Sequence, residues 1–435
     1  VTYDHQRRQS RRLTATVTDL EVARQRAFLI GVVFPGMSQP DADRSLDELA
    51  LLTDTAGSDP VDAELVRRES PDSAYYIGSG KATELAELIA AEDIDVVVFD
   101  NELAPAQQRN LAKLFEVDVV DRAALILDIF AQHATSREGA IQVELALLRY
   151  RLPRLRGRGT QLSQQGGGIG TRGPGETKLE TDRRRIQVRI SKLEKDLTEL
   201  GQTRATQRKS RQRSSLPRVA IVGYTNAGKS TLLNQLTEAS VLTEDRLFST
   251  LDSTVRRCVM PDGRYILISD TVGFVRRLPH QLVEAFRSTL EDTKQADLLL
   301  HLVDASDPDP EGQIAAVREV LEDIGAGSIP ELLVFNKSDA VAPVAMARLQ
   351  NLHPGATAIS ARTGAGLNDL LERVADILRT RSALMHLEIP YERSDLIAAA
   401  HQVGEVVAEK HDELGTRLDV RLPDEHVDRF AAYVV

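Results

Sequence analysis

Short apolar runs alternate with stretches of helical period between residues 20 and 135: "RAFLIGVVF" precedes "SLDELALL", "AELVRRE" precedes "KATELAELIAAE", "IDVVVFD" precedes "PAQQRNLAKLF", and "VDVV" precedes "RAALILDIFAQHA". Strand-then-helix repetition predicts an α/β unit with a parallel sheet and covering helices. The pattern then changes. In "EGAIQVELALLRYRLPRL", Ile141, Leu145, Leu148, Leu152 and Leu155 recur at helical spacing, with Pro153 expected to kink or end the helix. In "KLETDRRRIQVRISKLEKDLTELG", Ile186, Ile190, Leu193, Leu197 and Leu200 do the same up to Gly201, an expected stop. Two such seams joined by a loop predict an antiparallel helical hairpin. The next stretch, "QTRATQRKSRQRSSLP", reads as a flexible basic linker closing at Pro217. A second α/β pattern runs from 218 to 381, and the remainder mixes strand and helix character. The expected organisation is a disordered basic tail over 1–19, an N-terminal α/β domain over 20–136, a basic hairpin with its loop and linker over 137–216, a P-loop α/β domain over 217–382 and a small α+β domain over 383–435.

Composition narrows the partners. The 435 residues are 42% hydrophobic and 27% charged, ordinary for folded domains. No run reaches the ~18 apolar residues of a membrane span, and the basic start lacks an apolar signal core. With a lone Cys258, whose expected role is strand packing, this points to a reducing, cytoplasmic setting. The nine His show no zinc-binding pairing. Formal net charge is −11, yet residues 149–213 hold 18 Lys and Arg against 6 Asp and Glu, a local +12 that leaves −23 on the rest. Such segregation is the footprint of an anionic partner for that one segment. Trp is absent and aromatics are only 4%, so base stacking is not the expected mode of contact.

Two glycine-rich stretches are not nucleotide loops. Gly168, Gly170 and Gly173 match the dinucleotide spacing but follow a basic helix and a polar run instead of a strand. Flanked by Arg158 and Arg172, the tip over 163–176 suits close approach to phosphates or RNA bases. In "YYIGSGKATEL", Tyr75 occupies the first required Gly position and Ala82 follows Lys81, so Gly78 to Lys81 reads as a strand-to-helix turn.

The phosphate cradle is "RVAIVGYTNAGKSTLLNQL", an apolar strand running into a Gly-x-x-x-x-Gly-Lys-Ser loop and an apolar-periodic helix. Gly223, Tyr224, Thr225, Asn226, Ala227 and Gly228 would wrap backbone N–H groups round the α/β-phosphates. Lys229 would neutralise β/γ charge, and Ser230, followed by Thr231, would bind Mg²⁺. Asp270, Thr271, Val272 and Gly273 form a D-x-x-G: the carboxylate stands behind the Mg²⁺ and the Gly273 N–H meets the γ-phosphate. In "LLVFNKSD", Asn336, Lys337, Ser338 and Asp339 follow an apolar strand. A carboxylate there matches the N1–H and 2-amino donors of guanine, which adenine lacks. "AISAR" adds Ser360, Ala361 and Arg362, the first two with backbone groups for the guanine O6. The expected first switch, "RLFSTLDSTVRR", contains Phe248, Ser249, Thr250, Leu251 and Asp252, and either Thr250 or Thr254 is chemically suited to complete the Mg²⁺ shell.

On "GYTNAGKSTLLN", "LFSTLD", "DTVGF", "NKSD" and "GGGIGTRGPGETKLETDRR" preceded by "QVELALLRYRLPRL", the chain resembles the HflX family of ribosome-associated GTPases across residues 20–381. The resemblance implies that Thr250 is the metal-binding threonine. It also implies a monomer whose glycine-rich tip enters the peptidyl-transferase region of the large ribosomal subunit, binding its RNA and separating the subunits of stalled ribosomes. The catalytic set is then Lys229, Thr250 and Gly273, with GTP or GDP and Mg²⁺ bound. Phe274 stands where related GTPases place a water-orienting Gln, so slow turnover that the ribosome stimulates is expected. Asn226 either recruits K⁺ or shapes the loop. Two other classes compete: a GTP-gated binding module without splitting activity, and a tRNA-modifying GTPase, against which stands the absence of a Cys near the C-terminus.

Overall fold

The computed structural model describes residues 24–155, 174–211, 216–237, 248, 254–276, 293–380, 382–412 and 414–435. Its first unit carries four parallel strands, β1 (Gln25–Val33), β2 (Ser58–Arg67), β3 (Val96–Phe99) and β4 (Asp118–Asp121), in the order β2-β1-β3-β4. Alternation along the strands makes two cores. Ala27, Leu29, Val96 and Val98 pack with α1 (Gln39–Thr55) and α4 (Arg122–His133). Phe28, Ile30, Val32, Val97 and Phe99 pack with α2 (Ser79–Ala91) and α3 (Pro105–Phe115). Burial on both faces is why β1 and β3 read as continuous apolar runs, whereas the edge strand β2 is largely exposed. Side chains start the helices: Ser38 accepts the Asp41 N–H at 3.2 Å, and Asp121 accepts the Ala124 N–H at 2.9 Å.

Next come α5 (Arg137–Arg154) and α6 (Pro174–Arg211). Pro153 lies in the last turn of α5, and the helix ends beside it as expected. This helix is fastened to the first unit. The Tyr150 hydroxyl donates to Asp121 at 2.8 Å, and Arg154 stacks 3.5 Å over the Tyr150 ring while donating to Leu103 O at 2.8 Å. Two ion pairs hold α6 on α5, Arg149–Glu194 at 2.8 Å and Arg189–Glu144 at 2.6 Å. α6 corrects the sequence reading at both ends. It runs through Gly201 to Arg211, so most of the expected linker is helix. One interior glycine costs only about 1 kcal/mol against Ala, and the Arg, Gln and Lys that follow are good helix formers. It also begins at Pro174, so residues 174–176 of the expected tip loop are its first turn, where a fixed φ and a missing N–H cost nothing. The rest of the tip, like the tail over 1–19, lies outside the described residues.

The second unit has six strands: β5 (Arg218–Gly223), β6 (Val255–Val259), β7 (Tyr265–Asp270), β8 (Leu298–Asp304), β9 (Glu331–Asn336) and β10 (Thr357–Ala358). Their order is β10-β9-β8-β5-β7-β6, with only β6 antiparallel. One face packs with α7 (Lys229–Thr237), the other with α8 (Pro310–Asp323). Beyond β9, α9 (Pro343–Leu352) precedes β10, and α10 (Leu367–Thr380) joins the α7 face. Cys258 is buried in β6 as a packing residue. A third unit sets β11 (Ser382–Pro390), β12 (Glu405–His411) and β13 (Gly415–Pro423) in the antiparallel order β11-β13-β12, against α11 (Ser394–Val403) and α12 (Asp424–Phe430).

The first and second units share a core. The cluster holding Leu29, Ile126, Phe130 and Val143 continues without a break into Val222, Tyr224, Phe248, Val272, Phe274 and Leu299. Among the described residues no helix is long and apolar enough to cross a membrane.

Candidate nucleotide site

β5 ends in a turn that only glycine tolerates. Gly223 has φ 152°, and a methyl group on it would lie 2.2 Å from Leu302 O. Gly228, at φ 92°, closes the loop against β9, where a methyl would lie 2.3 Å from Asn336 Nδ2. Between them Asn226 is exposed and left-handed at φ 59°, a conformation Asn adopts more readily than most residues. The loop delivers the chain to the start of α7, whose first N–H groups have no carbonyl partner within the helix and are suited to an anion.

Two side chains of that first turn complete the chemistry. Lys229 is 6% exposed and donates to Tyr224 O at 2.7 Å. Burial pulls its ammonium down to about 8, against the opposing attraction of Asp270. Ser230 donates to the Asp270 carboxylate at 2.6 Å, joining two residues forty apart in sequence at the end of β7. A hydroxyl beside a carboxylate is the hard oxygen set that suits Mg²⁺. Among the described residues no three His, Cys, Asp or Glu form a metal cluster, so phosphate and water oxygens would complete such a shell. Thr231 follows, half-buried.

The D-x-x-G segment lies directly on this loop. Thr271 donates through its hydroxyl to Ile221 O at 2.8 Å, and Val272 is buried. A methyl on Gly273 would lie 2.7 Å from Thr225 Cγ2 and 3.1 Å from Lys229 Nζ, which places Gly273 beside the lysine. The next residue pairs with the loop: Thr225 N donates to Phe274 O at 2.8 Å and Phe274 N to Gly223 O at 3.2 Å. Phe274 itself is 1% exposed and belongs to the shared core.

At the other end, Asn336 is a strut. Its Nδ2 donates to Ala227 O at 2.7 Å, and its Oδ1 accepts the Ala361 N–H at 2.9 Å, tying the phosphate loop to the Ser360–Arg362 turn. Lys337, left-handed at φ 60°, pairs with Asp304 at 2.7 Å, and Ser338 N donates to Ile359 O at 3.1 Å. Asp339 meets the Ser360 hydroxyl and pairs with Arg362, and these contacts, Ser360 first, hold its carboxyl below the usual range. It is therefore an ionised acceptor at neutral pH.

Behind the loop lie contacts that the sequence does not announce. Tyr224 donates to Glu48 of α1, and Phe248, left-handed at φ 58°, stacks edge-on against Phe130 of α4 at 4.6 Å between centroids. Neither contact leaves a local signal, because the partners lie far apart in the chain. Of the remaining expected residues, Ser249, Thr250, Leu251 and Asp252 lie outside the described residues.

Three family models match: "GTP-binding GTPase N-terminal" over residues 43–131, "GTP-binding GTPase Middle Region" over 133–211 and "50S ribosome-binding GTPase" over 218–337. A "GTPase HflX" of Caldanaerobacter subterraneus subsp. tengcongensis is 44% identical over 417 residues, 95% of this chain and 95% of that protein. A "GTPase HflX" of Escherichia coli is 43% identical over 404 residues, 92% of this chain and 94% of that one. Among solved structures, a GTP-binding protein of Sulfolobus solfataricus in complex with GDP is 24% identical, with a TM-score of 0.42, over 81% of this chain and 98% of that one.

Proposed function

Because the chain belongs to the HflX family of GTPases, which convert GTP to GDP and phosphate, we propose that its nucleotide site works a cationic helix pair against the large ribosomal subunit and so splits or remodels stalled ribosomes. The observation that carries this reading is the shared core: it runs from Val222 and Phe274 beside the phosphate loop to Phe130 and Val143, where α5 is rooted. A change in the loop's surroundings is thereby transmitted through packed side chains, which have few intermediate arrangements, to the base of α5 and α6. On that pair Arg184, Arg185 and Lys192 are exposed, and the segment 149–213 with its glycine-rich tip faces ribosomal RNA.

In this reading Gly223 to Thr231 hold the phosphates, Asp339 accepts from guanine, and the 360–362 turn closes on the O6. Ser230 and Thr250 would hold Mg²⁺ with Asp270 behind them, and the ion would neutralise charge between the β- and γ-phosphates. Asn226 would add K⁺ at the same edge. Lys229 and Gly273 stabilise charge on the transferred phosphoryl group. With the Phe274 ring committed to the core, no side chain at that place orients water. Intrinsic turnover is slow, and the ribosome supplies or orders the missing group.

Neutralising Arg158, Arg172, Arg184, Arg204 and Arg208 together should weaken binding to purified large subunits and flatten the salt slope by roughly 3.5–4.5 units, at ~0.7–0.9 per phosphate. Filter binding across a salt series reads this. An unchanged slope would mean that the segment faces protein. Binding without subunit separation in sucrose gradients would instead make the chain a GTP-gated regulator.

A further inference from the structure

Tyr224 stands in the phosphate loop, yet its side chain reaches out of the second unit. Its hydroxyl donates to Glu48, 176 residues away, and accepts the backbone N–H of Arg276 at 2.6 Å. Glu48 is itself held. Arg122, 3% exposed at the start of α4, pairs with Glu48 at 2.7 Å and with Asp100 at 2.7 Å, and Ser45 donates to Asp100 at 2.7 Å. Burial opposes the Arg122 charge, but Glu48 and Asp100 outweigh it and raise the guanidinium above its ordinary value. Burial and then Glu48 push the Tyr224 phenol up, so it stays protonated and donates. A second tie runs alongside: the Arg276 guanidinium pairs with Asp309, which Arg44 of α1 approaches to 3.5 Å.

Three hydrogen bonds fix residues 274–276 on the phosphate loop. Two are between backbone groups, at Thr225 and Gly223; the third, from Arg276 N to the Tyr224 hydroxyl, depends on a side chain that the first unit controls. Gly273 immediately precedes this segment, and its backbone lies so near Thr225 and Lys229 that a methyl on it would meet them at 2.7 and 3.1 Å. Small shifts of 274–276 therefore pass to Gly273.

We infer that Glu48 and Arg122 are positioning residues for GTP hydrolysis: acting through Tyr224, they aim the Gly273 N–H at the γ-phosphate, so the first unit sets the preference for GTP over GDP. This rests on the assignment of Gly273 proposed above. GDP lacks the γ-phosphate, so its affinity is the internal control that a merely structural role would not spare.

The test uses the full chain with Tyr224→Phe, Glu48→Ala and Glu48→Gln, titrated with a fluorescent GDP and competed with the non-hydrolysable analogue GMPPNP, alongside single-turnover hydrolysis. Tyr224→Phe removes one oxygen and leaves the ring. It should weaken GMPPNP by roughly tenfold more than GDP, the worth of one hydrogen bond, and slow single turnover at least as much. Glu48→Ala should match it, and Glu48→Gln, which keeps an acceptor oxygen, should recover most of the loss. The double variant Tyr224→Phe/Glu48→Ala should lose no more of the preference for GMPPNP over GDP than Tyr224→Phe alone, because Glu48 acts on that preference only through the Tyr224 hydroxyl. Equal losses for the two nucleotides, no loss, or faster turnover would overturn the inference. Failure of the unaltered chain to bind GDP would instead overturn the underlying nucleotide site, and the inference with it.

Discussion

Lys229→Ala is expected to weaken GTP and GDP by roughly 10–100-fold and to slow hydrolysis by about 10²–10³. The side chain is 6% exposed, beside Gly273 and opposite Asp270. A charge removed from such surroundings leaves phosphate oxygens without a partner in a low-dielectric site, where each charge-assisted bond counts most. The larger effect falls on the rate because negative charge spreads over the γ-phosphoryl oxygens as the bond to the leaving group breaks. Titration with a fluorescent GDP and measurement of phosphate release read the two effects separately. Near-normal turnover would remove Lys229 from the chemistry.

Asp339→Ala should cost about one to two decades of guanine nucleotide affinity and lower the preference over ATP by a similar factor. Its carboxylate is held ionised by Ser360 and Arg362, and the turn carrying those residues is strapped to the phosphate loop through Asn336. Removing the acceptor strands the two guanine donors and leaves Lys229 and the phosphate loop intact. The loss should therefore be alike for GDP and GTP, unlike that of Tyr224→Phe. Competition of ATP and GTP against the fluorescent GDP reads the discrimination. Undiminished preference for guanine would place base recognition elsewhere.

The strand–loop–helix at Gly223–Ser230 and the turn after β9 were legible because each is a contiguous run of fixed spacing. Gly223 and Gly228 are required by backbone approach within a few ångströms, and Ser230 meets Asp270 because Asp270 ends β7 while Ser230 opens the helix after the neighbouring β5. The parallel sheet of the first unit was equally plain from its doubly buried runs. What could not be read were the long-range decisions. Glu48 looks like any acid on an amphipathic helix; only folding brings it to Tyr224 and Arg122. Phe248 looks like a switch residue awaiting nucleotide, yet its ring is 2% exposed against Phe130. Gly201 failed as a stop because helix propensity is a weak local preference that a helix of 38 residues overrides.

The proposed coupling of the nucleotide site to the helix pair through the shared core is tested most directly by co-sedimentation. Purified large ribosomal subunits are pelleted with the full chain and GMPPNP, GDP or no nucleotide. The chain is expected to pellet with the subunit in GMPPNP, GDP to release it, and neutralising the arginines of residues 149–213 to abolish the GMPPNP-dependent fraction. Equal pelleting in all three states, or pelleting indifferent to those arginines, would contradict it.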